Sequence, residues 1–315
     1  GSEMCIRDRL NDNHAYLEAD DSVYKALEDG SQGVQSDSME DGLPEIGDFQ
    51  IADRVAAHHL EEDFTEDSWL IRWGRLFGDV GYIQVKAMWM YADLDVPEAL
   101  IAEVGFVDAY VETFHTLYEG AYIRKEVEGV RKIMDRVMKD LSQMDAIVID
   151  VRFNGGGQDA VSFEILSRFI SGKSQVAAQK LRYKGGFTPP LPLYIQGVEK
   201  PFTGPVYVLT SPQTGSAAEA FAIATLSMPN AWRIGSATSG AMSTALEKRL
   251  PNGWAFSISN EVYMDTKGNA YENIGVPPDY DLEYARDRQT FFRAVAVDLD
   301  ADKKDILKAI KALSE

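Results

Sequence analysis

Ser216 stands where a nucleophile could stand. It lies in Thr214-Gly215-Ser216-Ala217-Ala218-Glu219, between the apolar run Pro205-Val206-Tyr207-Val208-Leu209 and the helix-like segment Ala218 to Leu226. A strand-to-helix turn of this kind presents a hydroxyl above a sheet, a common setting for nucleophilic serines. The same spacing, Ser216-x-x-Glu219, also reads as a capping box, in which the serine only satisfies an orphan amide of the helix it starts. A second stretch, Asp150-Val151-Arg152-Phe153-Asn154-Gly155-Gly156-Gly157, follows the short apolar run Ala146 to Ile149. Three glycines after a strand let backbone amides approach a ligand oxygen, as an oxyanion pocket requires. A phosphate loop is disfavoured, because Gly157 leads to Gln158-Asp159 and not to Gly-Lys-Ser/Thr. A plain glycine turn is the alternative. Two further loops, Gly235-Ser236-Ala237-Thr238-Ser239-Gly240 and Gly268 to Asp279, complete the set, and the second holds Glu272 between a glycine and two prolines. Alone, that residue reads as a surface glutamate.

The elements that must carry these loops alternate. Gly81 to Val85 is rich in β-branched and aromatic residues and suits a buried strand. Val127, Val130, Ile133, Met134, Val137, Met138 and Leu141 recur at helical spacing, and Ala146 to Ile149 follows as a doubly covered parallel strand. Helix (160–170), strand (206–209), helix (217–226) and strand (232–234) continue the pattern, which implies βαβ units and an α/β fold. Beyond Gly240 short strands and turns are expected, with a hairpin at Asn252-Gly253. Residues 10–70 read as an acidic N-terminal segment of strand and loop, 71–285 as the α/β core, and 286–315 as a C-terminal helical segment with Ile306, Ile310 and Leu313 on one side.

Gly1-Ser2 resembles a cloning scar and Glu3 to Asp8 an adapter translation, so residues 1–9 read as non-native and Cys5, the single cysteine, with them. Lys plus Arg total 31 against 50 Asp plus Glu, a net charge of −19 that repels nucleic acid and anionic membranes. No run approaches the roughly 20 apolar residues of a membrane span. His58-His59 beside Glu61, Glu62 and Asp63 lacks the His-Glu-x-x-His spacing of a helical zinc site, so neither metal nor cofactor is expected. His115 reads as a packing residue. Tyr82, Met88, Trp89, Met90 and Tyr91 read as core, with a substrate cleft as the alternative.

In their order along the chain, the four loops resemble those of the C-terminal processing peptidase family of serine peptidases, including its tricorn-like and retinoid-binding-protein-like branch. The resemblance spans roughly Leu10 to Asp279 and implies the ClpP/crotonase-like spiral α/β core, here with an additional N-terminal strand and loop segment and no evident PDZ insertion. A serine hydroxyl needs a base. One branch of the family places a lysine just after the Thr-x-Gly of the third loop, where this chain has Ala241, and Lys248 lies seven residues further on. The other branch uses a histidine in Leu-x-Asp/Ser-x-His, and Leu10-Asn11-Asp12-Asn13-His14 matches it. The resemblance therefore implies His14 as general base, Glu272 as the carboxylate that orients it, and an oxyanion hole from the amides of Ala217 and of Gly155 or Gly156. It implies a serine endopeptidase acting on peptide or protein substrates through an acyl-enzyme on Ser216, with export to a periplasmic or extracellular space as in relatives. The competing readings are a non-catalytic module for apolar ligands and a crotonase-type acyl-CoA enzyme.

Overall fold

The computed structural model describes residues 16–18, 44–116 and 122–314. His14 and Cys5 lie outside the described residues, as does the side chain of His115. The elements run β1 (Tyr16–Glu18), α1 (Asp48–His59), β2 (Glu62–Asp63), β3 (Ile71–Phe77), β4 (Val80–Val85), α2 (Glu98–Val104), α3 (Phe106–Thr116) and α4 (Tyr122–Asp140). Then follow β5 (Ala146–Asp150), α5 (Asp159–Leu166), β6 (Lys173–Tyr183), β7 (Gly186–Phe187), β8 (Leu191–Gln196), β9 (Val206–Thr210), α6 (Ala217–Thr225) and β10 (Ala231–Gly235). The chain closes with β11 (Ala245–Arg249), β12 (Ala255–Ser259), β13 (Glu261–Met264), β14 (Tyr280–Asp281), α7 (Arg288–Val297) and α8 (Leu299–Ser314).

A seven-stranded sheet in the order β14-β10-β9-β5-β4-β3-β2 forms the centre. From β4 through β5, β9 and β10 to β14 the pairing is parallel, and β2 and β3 add antiparallel. Every residue of β5 and β9 is buried, because helices cover both faces, and such strands read as unbroken apolar runs. The two faces are separable by parity. Ile147, Ile149, Val206 and Val208 pack with Val130, Met134 and Val137 of α4 and with Phe221 and Ile223 of α6. Val148, Tyr207 and Leu209 point the other way, onto Ile306, Ala309 and Ile310 of α8. Tyr82, Met88, Met90 and Tyr91 are buried, so the core reading of that aromatic stretch applies to them.

Two features depart from expectation. A helix, α1, occupies part of the N-terminal segment read as strand and loop, burying Ile51, Ala52, Val55, Ala56 and His59 on one side. The C-terminal segment is two helices, and α8 is a covering layer of the sheet as much as a surface element. A second, smaller sheet joins β1 to the β11–β12 hairpin, whose turn holds Gly253 at φ +88°. A third pairs β6 with β13, β7 and β8. Among the described residues no helix is long and apolar enough to cross a membrane.

Candidate active site

Ligand sites of open α/β sheets collect at the carboxyl ends of parallel strands, and three of the four loops emerge there. β5 ends in the glycine loop, β9 in the Ser216 turn, and β10 in the Thr238 loop. The fourth loop folds back onto the third. Thr238 N donates to Val276 O at 3.2 Å, Val276 N to Thr238 Oγ1 at 2.7 Å, and Asn273 N to Gly240 O at 2.7 Å. A Cβ on Gly275, whose φ is +83°, would come within 2.1 Å of Thr238 O, so only glycine permits the contact.

Ser216 is the residue before α6, with φ +51° and ψ −123°, and its side chain makes no capping hydrogen bond. A serine at positive φ is strained, and strain of this kind persists where the surroundings enforce it. The enforcement is visible on both flanks: Ser216 N donates to Ala241 O at 3.0 Å, and Gly215 N donates to Asn154 O at 3.1 Å. The capping-box reading fails for a geometric reason. An N-cap side chain reaches the third helical amide from an extended backbone, which Ser216 does not have, and Glu219 turns elsewhere. Its Oε1 accepts from Thr238 Oγ1 at 2.6 Å and Gly240 N at 2.7 Å, and its Oε2 from Ala241 N at 2.7 Å. Burial pushes this carboxyl up to about 7 against those donors, and the nearby charge of Glu272 adds to the rise. The Ser216 hydroxyl is left uncommitted to its own helix, at the positive end of the α6 dipole.

Asn154 ties the glycine loop to this turn. Its Nδ2 donates to Val85 O at 3.0 Å and its Oδ1 accepts from Gly156 N at 2.9 Å. Gly156 passes so close that a Cβ there would lie 2.6 Å from Ser216 Cβ. Its amide is thus engaged, whereas Gly155 is exposed and the amides of Gly155 and Ala217 have no acceptor among the described residues. Glu272 Oε2 accepts the amides of Met242 at 3.1 Å and Ser243 at 3.0 Å. Ser216 and Glu272 therefore grip neighbouring residues of one segment, 241–243. Lys248 is exposed on β11, opposite Phe256 in the smaller sheet.

Beneath the glycine loop lies a charged cluster that no local pattern announced. Arg152, fully buried, donates to Asp150 through Nε at 3.0 Å and Nη2 at 2.8 Å, and to Asp302 of α8 through Nη1 at 2.8 Å. Tyr82 OH donates to Asp150 Oδ2 at 2.7 Å, and the His59 ring meets Asp302 Oδ2 at 2.9 Å. Burial alone would raise the Asp302 carboxyl, but Arg152 and His59 hold it at about 2. Burial lowers His59 below its ordinary value, against the pull of Asp302, so the ring is neutral near pH 7, and the Asp302 carboxylate accepts a hydrogen bond from its Nε2–H.

Residues 79–282 match the model of Peptidase family S41, a span that contains all four loops. The chain belongs to peptidase family S41. It is accordingly a serine peptidase, a hydrolase acting on peptide or protein substrates. Solved structures share its fold at low identity. A putative peptidase from Parabacteroides merdae is 20% identical with a TM-score of 0.55, covering 79% of this chain and 69% of that one. Mature CPAF is 17% identical with a TM-score of 0.56, covering 92% of this chain and 62% of that one. A lipoprotein from Streptococcus agalactiae is 14% identical with a TM-score of 0.50, covering 86% and 72%. The S41 match leaves α1, α7 and α8 outside it, so His59 and Asp302 brace the family's glycine loop from beyond the matched span.

Proposed function

We propose that this S41 chain is an endopeptidase that cleaves through an acyl-enzyme on Ser216, with His14 as general base and Glu272 as the carboxylate orienting it. The observation that carries the reading is the uncapped, positive-φ serine at the start of α6, a hydroxyl held in place at a cost in backbone strain and withheld from its helix. Ser216 attacks the scissile carbonyl while the base takes its proton, and the proton returns to the leaving amine. The amides of Gly155 and Ala217 hold the tetrahedral oxyanion, a preference for Gly155 that follows from the engagement of the Gly156 amide by Asn154. Support for His14 comes from its surroundings in the chain. β1 opens two residues after it, and β12, the partner of β1, leads to Asn260, whose amide bonds Ser243 Oγ beside Glu272. Ala241, buried under Glu219, occupies the place of the other branch's lysine.

The test is hydrolysis of an unfolded protein substrate by wild type and Ser216→Ala, followed by mass spectrometry of the products. Internal cleavages by wild type and none by Ser216→Ala are expected. Equal cleavage by the two proteins, or trimming from one end alone, would overturn the assignment.

A further inference from the structure

Between Glu164 and Glu199 the sequence holds no carboxylate and five cations, Arg168, Lys173, Lys180, Arg182 and Lys184, in a chain of net charge −19. Arg168 is buried and bridges Asp135 and Glu164. The other four have no ion pair among the described residues. Three of them lie over exposed rings instead: Lys173 Nζ is 4.6 Å from the Tyr194 centroid, Arg182 5.2 Å from Phe187, and Lys184 5.1 Å from Tyr183. Tyr183 and Phe187, 59% and 47% exposed, flank the β6–β7 turn. Arg182 over Phe187 and Lys184 over Tyr183 meet at this turn, while Lys173 over Tyr194 lies at the far end of β6, and cations stacked on exposed rings make a surface suited to contact.

The base of this turn is joined to the candidate site by three hydrogen bonds. Arg182 N donates to Asn260 O at 3.1 Å, Asn260 N to Ser243 Oγ at 3.1 Å, and Ser243 N to Glu272 Oε2 at 3.0 Å. From the face of β13 that it shares with Glu261, Tyr263 OH donates to Asp159, two residues beyond Gly157. β13 thus reaches Asp159 after the glycine loop and, through Asn260 and Ser243, the Glu272 loop, and the β6–β7 turn continues from β6, its partner strand. Glu261 lies opposite Leu181 across the β6–β13 pair, and its Oε1 accepts Thr244 N. Against it stand Lys180, Arg182 and Lys184. An acidic peptide is repelled by most of this protein's surface and attracted here, over the roughly 8 to 10 Å that salt leaves unscreened.

We propose that the β6–β7 turn docks acidic peptide segments bearing aromatic or large apolar residues beside the scissile bond, which makes such peptides the preferred substrates. The cleavage part of this inference rests on the endopeptidase reading; the docking part does not. The test uses full-length Ser216→Ala and two fluorescein-labelled peptides, one with Asp and Glu around a central Phe and one with Asn and Gln in their places. Fluorescence anisotropy at low salt should show the acidic peptide binding about tenfold tighter, the worth of two exposed ion contacts. Added salt and Arg182→Glu/Lys184→Glu should erase the difference, and Tyr183→Ala/Phe187→Ala should weaken both peptides. Circular dichroism checks folding, and Lys184→Glu alone replaces the double variant if that one unfolds. Equal affinity for the two peptides, a preference that survives charge reversal, no binding at all, or binding to anionic lipid vesicles without binding to the acidic peptide would each overturn the proposal. Acid-selective binding by Ser216→Ala with no cleavage by wild type would leave the docking surface standing and remove the endopeptidase reading.

Discussion

Glu219 Oε2 accepts the amide of Ala241 at 2.7 Å, and the carbonyl of the same Ala241 accepts the amide of Ser216 at 3.0 Å. One buried carboxylate is therefore a single residue removed from the backbone of the candidate nucleophile. Glu219→Ala strands the Gly240 and Ala241 amides in the interior, each at about 1 to 3 kcal/mol. A thermal midpoint lowered by several degrees and loss of most activity are expected, with kcat falling more than KM rises. Unchanged kcat in a folded Glu219→Ala protein would show that the 241–243 segment does not position Ser216.

Titration of the same group gives a second expectation. The folded Glu219 carboxyl sits at about 7, above its unfolded value near 4.3. Its contribution is fully present below the unfolded value and is lost as pH rises through about 7, a penalty of up to about 3 kcal/mol. Glu219→Gln cannot ionise. Urea denaturation at pH 5 and pH 8 should therefore show less loss of stability toward pH 8 in Glu219→Gln than in wild type. Parallel pH profiles would contradict the buried position of this carboxyl.

Gly156→Ala places a methyl 2.6 Å from Ser216 Cβ and 2.8 Å from Gly215 O, on a backbone at φ +114°. Gly155→Ala meets nothing within 4 Å. The first should cost about 2 kcal/mol or more of stability and about a hundredfold or more in activity. The second should fold as wild type. Similar thermal midpoints for the two variants would mean that the glycine loop does not lie against the serine turn.

The strands β4, β5, β9 and β10 and the β11–β12 hairpin, with α4, α5, α6 and the four loops, were legible in the sequence because each leaves a local mark, whereas β3, β6, β8, α2 and α3 were not read there. Unbroken apolar runs marked β5 and β9, three-and-four spacing marked α4, and a glycine run marked the bend beneath Ser216. The brace between Arg152 and Asp302 left none, since its partners are 150 residues apart and neither carries a local spacing that names the other. α1 was missed because acidic and polar neighbours surround its short apolar stripe. Glu219 was visible but assigned to the wrong partner, for the capping pattern Ser-x-x-Glu does not reveal that the serine's own φ is positive.

Arg152→Met leaves Asp150, Asp302 and the His59 ring without their cation in a buried site. A loss of about 3 to 5 kcal/mol in urea denaturation is expected, the usual cost of removing one member of a buried pair. Acid should expose the same cluster. The folded value of His59 lies below its unfolded one, so the stability it supports is present above about 6.5 and lost as pH falls through the folded value. His59→Gln should flatten that part of the pH profile, and an unaltered profile would mean that His59 is not the group responsible.

His14→Ala should abolish turnover while Lys248→Ala leaves it within about twofold of wild type, since Lys248 is an exposed residue of β11 and a missing general base typically costs about a hundredfold or more. Loss of activity in Lys248→Ala with His14→Ala intact would reverse the assignment of the base.

The most direct measurement is the site of covalent labelling by a fluorophosphonate, read by peptide mass spectrometry on the intact chain and on Ser216→Ala. One adduct, on the peptide carrying Thr214-Gly215-Ser216-Ala217 and absent from Ser216→Ala, is predicted. A folded wild-type protein that takes up no label, or takes it up at another residue, would contradict the nucleophile at the start of α6.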